Sequence, residues 1–302
     1  MGNSRVAEGK ATPTMGKKGK KAQAGKPKKL KPKDVSKRLD VLAKKVEEEL
    51  EGADLFAPLP PTEDCAICFI PLPRTAINSF YNTCCGKVFC KACLEAGKII
   101  KKKQEKNGKN ACPFCRQGYP TTTEMALHRL EARAAQNDHE AWYCLGDTYK
   151  DAKHGVSKDE LRALDCFIRA VDLGSAKAAN VIGEYYRKGT TIARDVEKEC
   201  LFYRMGALRG YFSARYNIGC SEYNSGNHEI GIRHWKIAAE AGMQASIDTL
   251  KKIYNANGKI PGKEFISQEC MGSLYRACHD AQEEVKSEER EKHFHQVDEF
   301  KC

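Results

Sequence analysis

Ala141-Trp-Tyr-Cys-Leu-Gly146-Asp-Thr-Tyr149 decides the fold, because its pattern returns as Ala178-Ala-Asn-Val-Ile-Gly183-Glu-Tyr-Tyr186 and as Ala214-Arg-Tyr-Asn-Ile-Gly219-Cys-Ser-Glu-Tyr223. The glycines are 37 and then 36 residues apart, a period that marks stacked supersecondary units. Ala141, Ala178 and Ala214 let helices approach closely, and Leu145, Ile182 and Ile218 fall on faces expected to be buried. A second helix follows each stretch, ending in AVDLGSAKA, GALRGYFSA and AAEAGMQAS. Each unit therefore reads as a helical hairpin. One hairpin cannot bury its own apolar face, so three are expected to stack.

Between the helices of the first unit lies Gly155-Val156-Ser157-Lys158-Asp159. The series A-x-x-x-L-G-x-x-Y, G-V-x-x-D, A-x-x-x-x-x-x-A-x-x-x-G resembles the Sel-1-like branch of the tetratricopeptide superfamily over about residues 124–260. The resemblance implies an α-helical hairpin solenoid over 121–260 whose concave side binds a protein substrate or adaptor. The third unit lacks the middle element, so a shortened loop is expected there. Residues 261–302 read as a C-terminal capping helix and tail, with Phe265, Ile266, Leu274 and Tyr275 on the helix. Tyr149, Tyr186, Phe202, Tyr203 and Trp235 have helix-packing spacing, which suits core positions; contact with a ligand is the second reading.

Upstream, eight of the 15 cysteines crowd into one segment: Cys65-Ala-Ile-Cys68, the adjacent Cys84 and Cys85, Cys90-Lys-Ala-Cys93 and Cys112-Pro-Phe-Cys115. Thiolates are soft tetrahedral zinc ligands, and a C-x-x-C turn presents two sulfurs to one ion. No secretory signal accompanies them, which argues for metal rather than disulfides. The other cysteines are scattered through helical sequence and read as small hydrophobes or free thiols.

The order of the pairs resembles the RING finger family. That resemblance implies a small zinc-stabilised α+β domain at 60–119 with two zinc ions, one on Cys65, Cys68, Cys90 and Cys93, the other on Cys84, Cys85, Cys112 and Cys115. Many RING fingers carry a ligand histidine where this chain has Lys87, which cannot bind zinc while protonated. With no histidine between Cys65 and Cys115, Cys84 is the natural substitute. Both members of the pair binding, and a three-sulfur second site, are the two arrangements to separate. With all eight cysteines bound, every position is filled by protein, so the metals are expected to be structural and to hydrolyse nothing.

The same resemblance implies a ubiquitin ligase that docks a ubiquitin-conjugating enzyme and ubiquitin. Ile67, Leu94 and Pro113 occupy the family's partner-binding positions, and Arg116 resembles the arginine that bridges the two partners, the one residue expected in a catalytic role. Ordinary core packing for Ile67 and a solvated surface arginine at 116 are the competing readings. Gly97–Gly108 reads as a charged helix and loop.

The net charge of +11 sits entirely at the N-terminus, where residues 1–38 hold thirteen lysines and arginines against Glu8 and Asp34. Residues 1–33 carry almost no branched or aromatic side chains and are expected to be a disordered basic tail. It suits nuclear import, salt-sensitive contact with nucleic acid or an acidic membrane surface, or simple solubilisation. Val6 argues against myristoylation at Gly2.

Residues 34–52 form an amphipathic helix with Val35, Leu39, Leu42, Val46 and Leu50 in one stripe. That stripe either packs on the zinc domain or makes a short dimeric coiled coil. Pro58-Leu-Pro-Pro61 breaks the helix before Cys65. No run of about 20 apolar residues is present, so the expectation is a soluble protein of the cytoplasm or nucleus, without a membrane span.

The whole is thus expected to be mainly α: a basic tail, a small zinc domain, then the solenoid. Its expected activity is RING-type ubiquitin transfer with recruitment by the repeats. The alternative is a non-catalytic zinc-binding interaction scaffold.

Overall fold

The computed structural model describes residues 30–74, 79–95, 111–256 and 259–283. The expectations for residues 1–29, for 96–110 and for the chain after 283 lie outside the described residues. Among the described residues the molecule is mainly helical, with one small two-stranded sheet in the cysteine-rich region expected to be the zinc domain.

Helix α1 (Pro32–Leu50) comes first. Strands β1 (Ser79–Asn82) and β2 (Lys87–Cys90) pair antiparallel, with Ser79 opposite Cys90 and Tyr81 opposite Val88. Helix α2 (Thr123–Ala134) then leads into three hairpins: α3 (His139–Lys150) with α4 (Glu160–Asp172), α5 (Ala176–Lys188) with α6 (Val196–Leu208), and α7 (Phe212–Asn224) with α8 (His228–Glu240). Helices α9 (Gln244–Asn255) and α10 (Gln268–Glu283) close the stack, with Ile266, Met271, Leu274 and Cys278 buried against α8 and α9.

The recurring glycines are where two helices of a hairpin come nearest. A methyl group on Gly183 would lie 2.7 Å from the Tyr203 ring, one on Gly219 would lie 2.5 Å from Trp235, and one on Gly146 would collide with Phe167. Hydrogen at these positions lets a large ring from the second helix press onto the backbone of the first. The five aromatics singled out in the sequence are all buried.

Asp159, which ends the G-V-x-x-D element, caps α4 by accepting from the Arg162 amide at 3.0 Å, and Asp195 caps α6 in the same way. The third hairpin has no such side-chain cap, and its connection shortens to residues 225–227.

Helix α1 does not take the seat on the zinc domain expected for it. Its stripe, Val35, Leu39, Leu42, Ala43 and Val46, is buried in the same apolar core as the repeats, and it packs on α4 and α6, the second helices of the first two hairpins. Salt bridges fix the register: Lys198 with Asp40 at 2.7 Å, Lys45 with Asp172 at 2.8 Å, Arg209 with Glu49 at 2.8 Å, and Arg38 with Asp165. The stripe offered to a coiled-coil partner is therefore already covered within the chain. Periodicity had identified an apolar face but could not say what would meet it.

After α1 the chain stays on the repeats. Phe56 stacks on His234 with ring centroids 4.8 Å apart, and the Arg233 guanidinium lies 3.8 Å from the centre of the Phe56 ring. The buried Arg215 donates to the Ala57 carbonyl at 3.1 Å. Burial lowers the His234 pKa from 6.5 to about 4, so the imidazole is neutral in this clamp. No helix among the described residues is long and apolar enough to cross a membrane.

Candidate metal centre and its attachment to the repeats

Two turns in the zinc-domain region share one hydrogen-bond pattern. In the first, the Cys65 amide donates to the Ile70 carbonyl at 2.9 Å and the Phe69 amide to the Cys65 carbonyl at 2.9 Å. In the second, the Cys112 amide donates to Gln117 at 2.7 Å and the Arg116 amide to Cys112 at 2.9 Å. Each turn closes through a left-handed residue, Phe69 with φ 57° and Arg116 with φ 60°. A residue with a Cβ pays strain there, so the conformation must be held by its surroundings. The β1–β2 connection provides a third tight turn, closed by Gly86 donating to Asn82 at 2.8 Å.

These turns gather the sulfurs into two groups, Cys65 with Cys68, Cys90 and Cys93, and Cys84 with Cys85, Cys112 and Cys115. Within each group the ligand atoms lie within 4.8 Å of one another. Cys68 and Cys90 sulfurs are 3.9 Å apart, as are those of Cys85 and Cys112. Metal–sulfur bonds of about 2.3 Å in a tetrahedron put sulfurs ~3.8 Å apart, so each group can hold a metal ion and its dimensions suit zinc. All eight thiols are free rather than paired in disulfides.

The first group is buried; Cys65 and Cys93 are fully enclosed. Sulfhydryl bonds from Cys68, Cys90 and Cys93 pull the Cys65 thiol far below its ordinary range, an environment that favours a thiolate. The Cys90 amide adds a bond to the Cys65 sulfur at 3.4 Å. The second group is more open, and both Cys84 and Cys85 belong to it.

The other residues named from the sequence surround these groups. Ile67 and Leu94 are half-buried, and Ile67 packs against the cysteine core. Leu94 lies on the helical turn at 91–95, Pro113 is half-buried in the second turn, and Arg116 is exposed. Phe69 is 76% exposed and Phe114 49%, large apolar rings facing solvent beside metal ligands, which the sequence reading had passed over. Their signal was available: each is an aromatic residue inside or just after a C-x-x-C turn, where there is little core to receive it.

A contact invisible in the sequence fastens this region to the first hairpin. Asp138 caps α3 through Oδ1, accepting from the Glu140 and Ala141 amides at 3.1 and 3.2 Å. Its Oδ2 accepts from the Tyr81 hydroxyl of β1 at 2.8 Å and from Arg133 at 2.9 Å. Burial pushes the Tyr81 pKa up, which keeps the hydroxyl a donor. The Arg133 guanidinium lies against Gly86, where any side chain would collide with it, and Arg129 donates to the Gly118 carbonyl at 2.8 Å. A cleft of about 450 Å³ remains between the two regions, with Leu72, Tyr81 and Val88 on one wall and Lys177 and Tyr211 on the other.

No family model matches the chain. It is 32% identical over 95 residues to an uncharacterized protein of Neisseria meningitidis serogroup B, a match covering 32% of this chain and 20% of that one. The chain thus spans about a fifth of the length of that relative. Among solved structures, it is similar to a Sel1 repeat protein from Oxalobacter formigenes, at 27% identity over 53% of this chain and 64% of that one, TM-score 0.45. It is also similar to the protective antigen c5321 of uropathogenic Escherichia coli, which displays an SLR fold, at 23% identity over 51% of this chain and 33% of that one, TM-score 0.43.

Proposed function

We propose that the chain is a RING-type ubiquitin ligase whose zinc domain engages a charged ubiquitin-conjugating enzyme, while Sel-1-like repeats recruit a substrate or adaptor. The observation that carries the reading is the crossing of the cysteine pairs: the first and third gather in one group, the second and fourth in the other. Crossed pairs tie distant segments into one unit and leave every metal position filled by protein, so the two zinc ions would be structural.

In this reading the domain forms no covalent bond. The substrate amine attacks the thioester carbonyl on the conjugating enzyme and the thiolate leaves. Ile67, Leu94 and Pro113, with Phe69 and Phe114 beside them, would supply the apolar contact. Arg116 would hold the thioester by its planar fork. Nucleic-acid contact through the basic tail is a separate proposal, and its signature would be a steep loss of binding with salt.

The test is autoubiquitination by the full chain with bound zinc, using ubiquitin, its activating enzyme, ATP and a panel of conjugating enzymes. Transfer by at least one enzyme is expected. Ile67→Ala and Arg116→Ala should each lower it by about tenfold or more with zinc content unchanged. Zinc-loaded protein inactive with every conjugating enzyme would leave the non-catalytic scaffold in its place.

A further inference from the structure

The three hairpins place equivalent residues against one another, and the second departs from the other two at two core positions. Against the recurring glycine the first hairpin sets Phe167, the third sets Trp235, and the second sets Tyr203. The Trp235 indole N–H is satisfied by the Tyr216 carbonyl at 3.1 Å. The Tyr203 hydroxyl is fully buried and finds no acceptor for its proton. Arg187, the cation acting on it, is a donor and cannot accept the phenol proton.

One turn earlier the first hairpin has Ala163 and the third Gly231, both small. The second has Glu199, which is 5% exposed and whose pKa is raised by burial. A buried hydroxyl without an acceptor is costly, as is a buried carboxyl, and neither is needed to pack a hairpin whose neighbours do without them.

Both residues line a cavity of about 550 Å³ between the second and third hairpins. Arg187 and Arg194 stand exposed at its edge, and Asn217, Ser221 and Ser225 line the facing helix end. Neither arginine is in a salt bridge among the described residues. Glu184, the nearby acid that acts on Arg187, already accepts from Asn180 at 3.1 Å and pairs with Lys188. Asn217 donates to Asn180 and keeps its own carbonyl free to accept. Two guanidiniums against one carboxylate leave the lining with one positive charge over. The cavity thus presents a charge-assisted fork at its mouth and a buried donor with nothing to receive its proton.

We infer that this cavity is a binding site for a peptide carboxylate, held by Arg187 and Arg194 with the Tyr203 hydroxyl completing its hydrogen bonds, and with Glu199 and the Asn217 carbonyl accepting from the peptide backbone. The inference deepens the recruitment half of the proposed function. It is independent of ubiquitin transfer, since peptide binding is measured without a conjugating enzyme and either half can fail alone. The carboxylate can belong to an aspartate or glutamate side chain or to a chain terminus.

The test is fluorescence anisotropy on the full, zinc-loaded chain, with labelled peptides of sequence Ser-Ala-Glu-Ala-Leu-Ala. These carry Glu or Gln at the third place and end in a free carboxylate or an amide. At least one carboxylate-bearing form is expected to bind, more weakly as salt rises, and the Gln amide form not to bind. Loss with Gln assigns the side chain as the source; loss with the amide assigns the terminus. Arg187→Gln with Arg194→Gln should weaken binding about a hundredfold. Tyr203→Phe should weaken it about fivefold while raising the melting temperature by about 2–4 °C, because it removes a buried hydroxyl whose proton only the ligand accepts. A purely structural tyrosine would not give those opposite changes. Equal binding of charged and neutral peptides, binding unaffected by these variants, or no binding at millimolar peptide would each overturn the inference.

Discussion

The zinc-domain region and the repeats reach order by different physics. Besides its cysteines, the former buries only Leu72 and Phe89 among the described residues of its core. The repeats and α1 share a continuous apolar core running from Val35 to Met205, with rings pressed onto glycines. A core of two large side chains cannot offset the entropy of ordering a domain, and metal ions on the crossed cysteine groups would supply the difference. A helical stack gains its stability one interface at a time and needs no metal. The two regions should therefore fail under different insults.

The largest expected effect tests that directly. Removing zinc with a chelator, or replacing the enclosed Cys93 by Ser, should cost the zinc domain on the order of 10 kcal/mol of metal-linked folding energy. Far-UV circular dichroism should fall only slightly, because the long helices among the described residues lie outside that region. Parallel loss of the whole helical signal would show that the Tyr81–Asp138 contact makes the regions one cooperative unit. Leu39→Ala should do the reverse. It should cost about 3 to 4 kcal/mol in thermal unfolding of the repeats and leave zinc stoichiometry unchanged. A loss of zinc instead would put α1 back on the zinc domain.

These two predictions mark what could be read from the sequence. The hairpins were legible because glycine, alanine and branched residues recur at a fixed period, and the cysteine groups because C-x-x-C turns have a restricted geometry. The seat of α1 was not, since a stripe of Val35, Leu39 and Val46 fits any apolar partner. The Phe56–His234–Arg215 clamp was equally hidden. It joins single residues far apart in the chain, each of which reads locally as loop or helix. Tyr203 and Glu199 looked like ordinary members of a helix until the equivalent Phe167 and Ala163 lay beside them.

Acid should distinguish the regions by a smaller margin. Folding lowers the His234 pKa from 6.5 to about 4 through burial, so the unfolded chain binds the extra proton more readily between those values. The contribution of neutral His234 is complete above about pH 6.5 and falls away as pH drops toward 4, by about 3 kcal/mol at most. His234→Phe should flatten the pH dependence of repeat unfolding over that window. An unchanged slope would place the acid sensitivity elsewhere.

The smallest effect concerns Arg116. Glycine tolerates φ 60° without strain, so Arg116→Gly should keep zinc bound and stabilise the zinc domain by about 1 kcal/mol in metal-release titrations. If ubiquitin transfer falls at the same time, the arginine serves activity at the expense of its turn. Transfer equal to the original would make it an ordinary surface residue.

The placement of α1 also has a consequence in time. Asp40 meets Lys198, and Glu49 meets Arg209, so α1 gains these two partners only after about 160 more residues have been made. At roughly 5–20 residues per second, that delay is on the order of ten seconds or more. Until α6 is made, α4 alone can cover the Val35–Val46 stripe. A partly covered apolar face thus travels with the nascent chain until the second hairpin is complete, and metal loading of the intervening cysteine groups would fall within that interval.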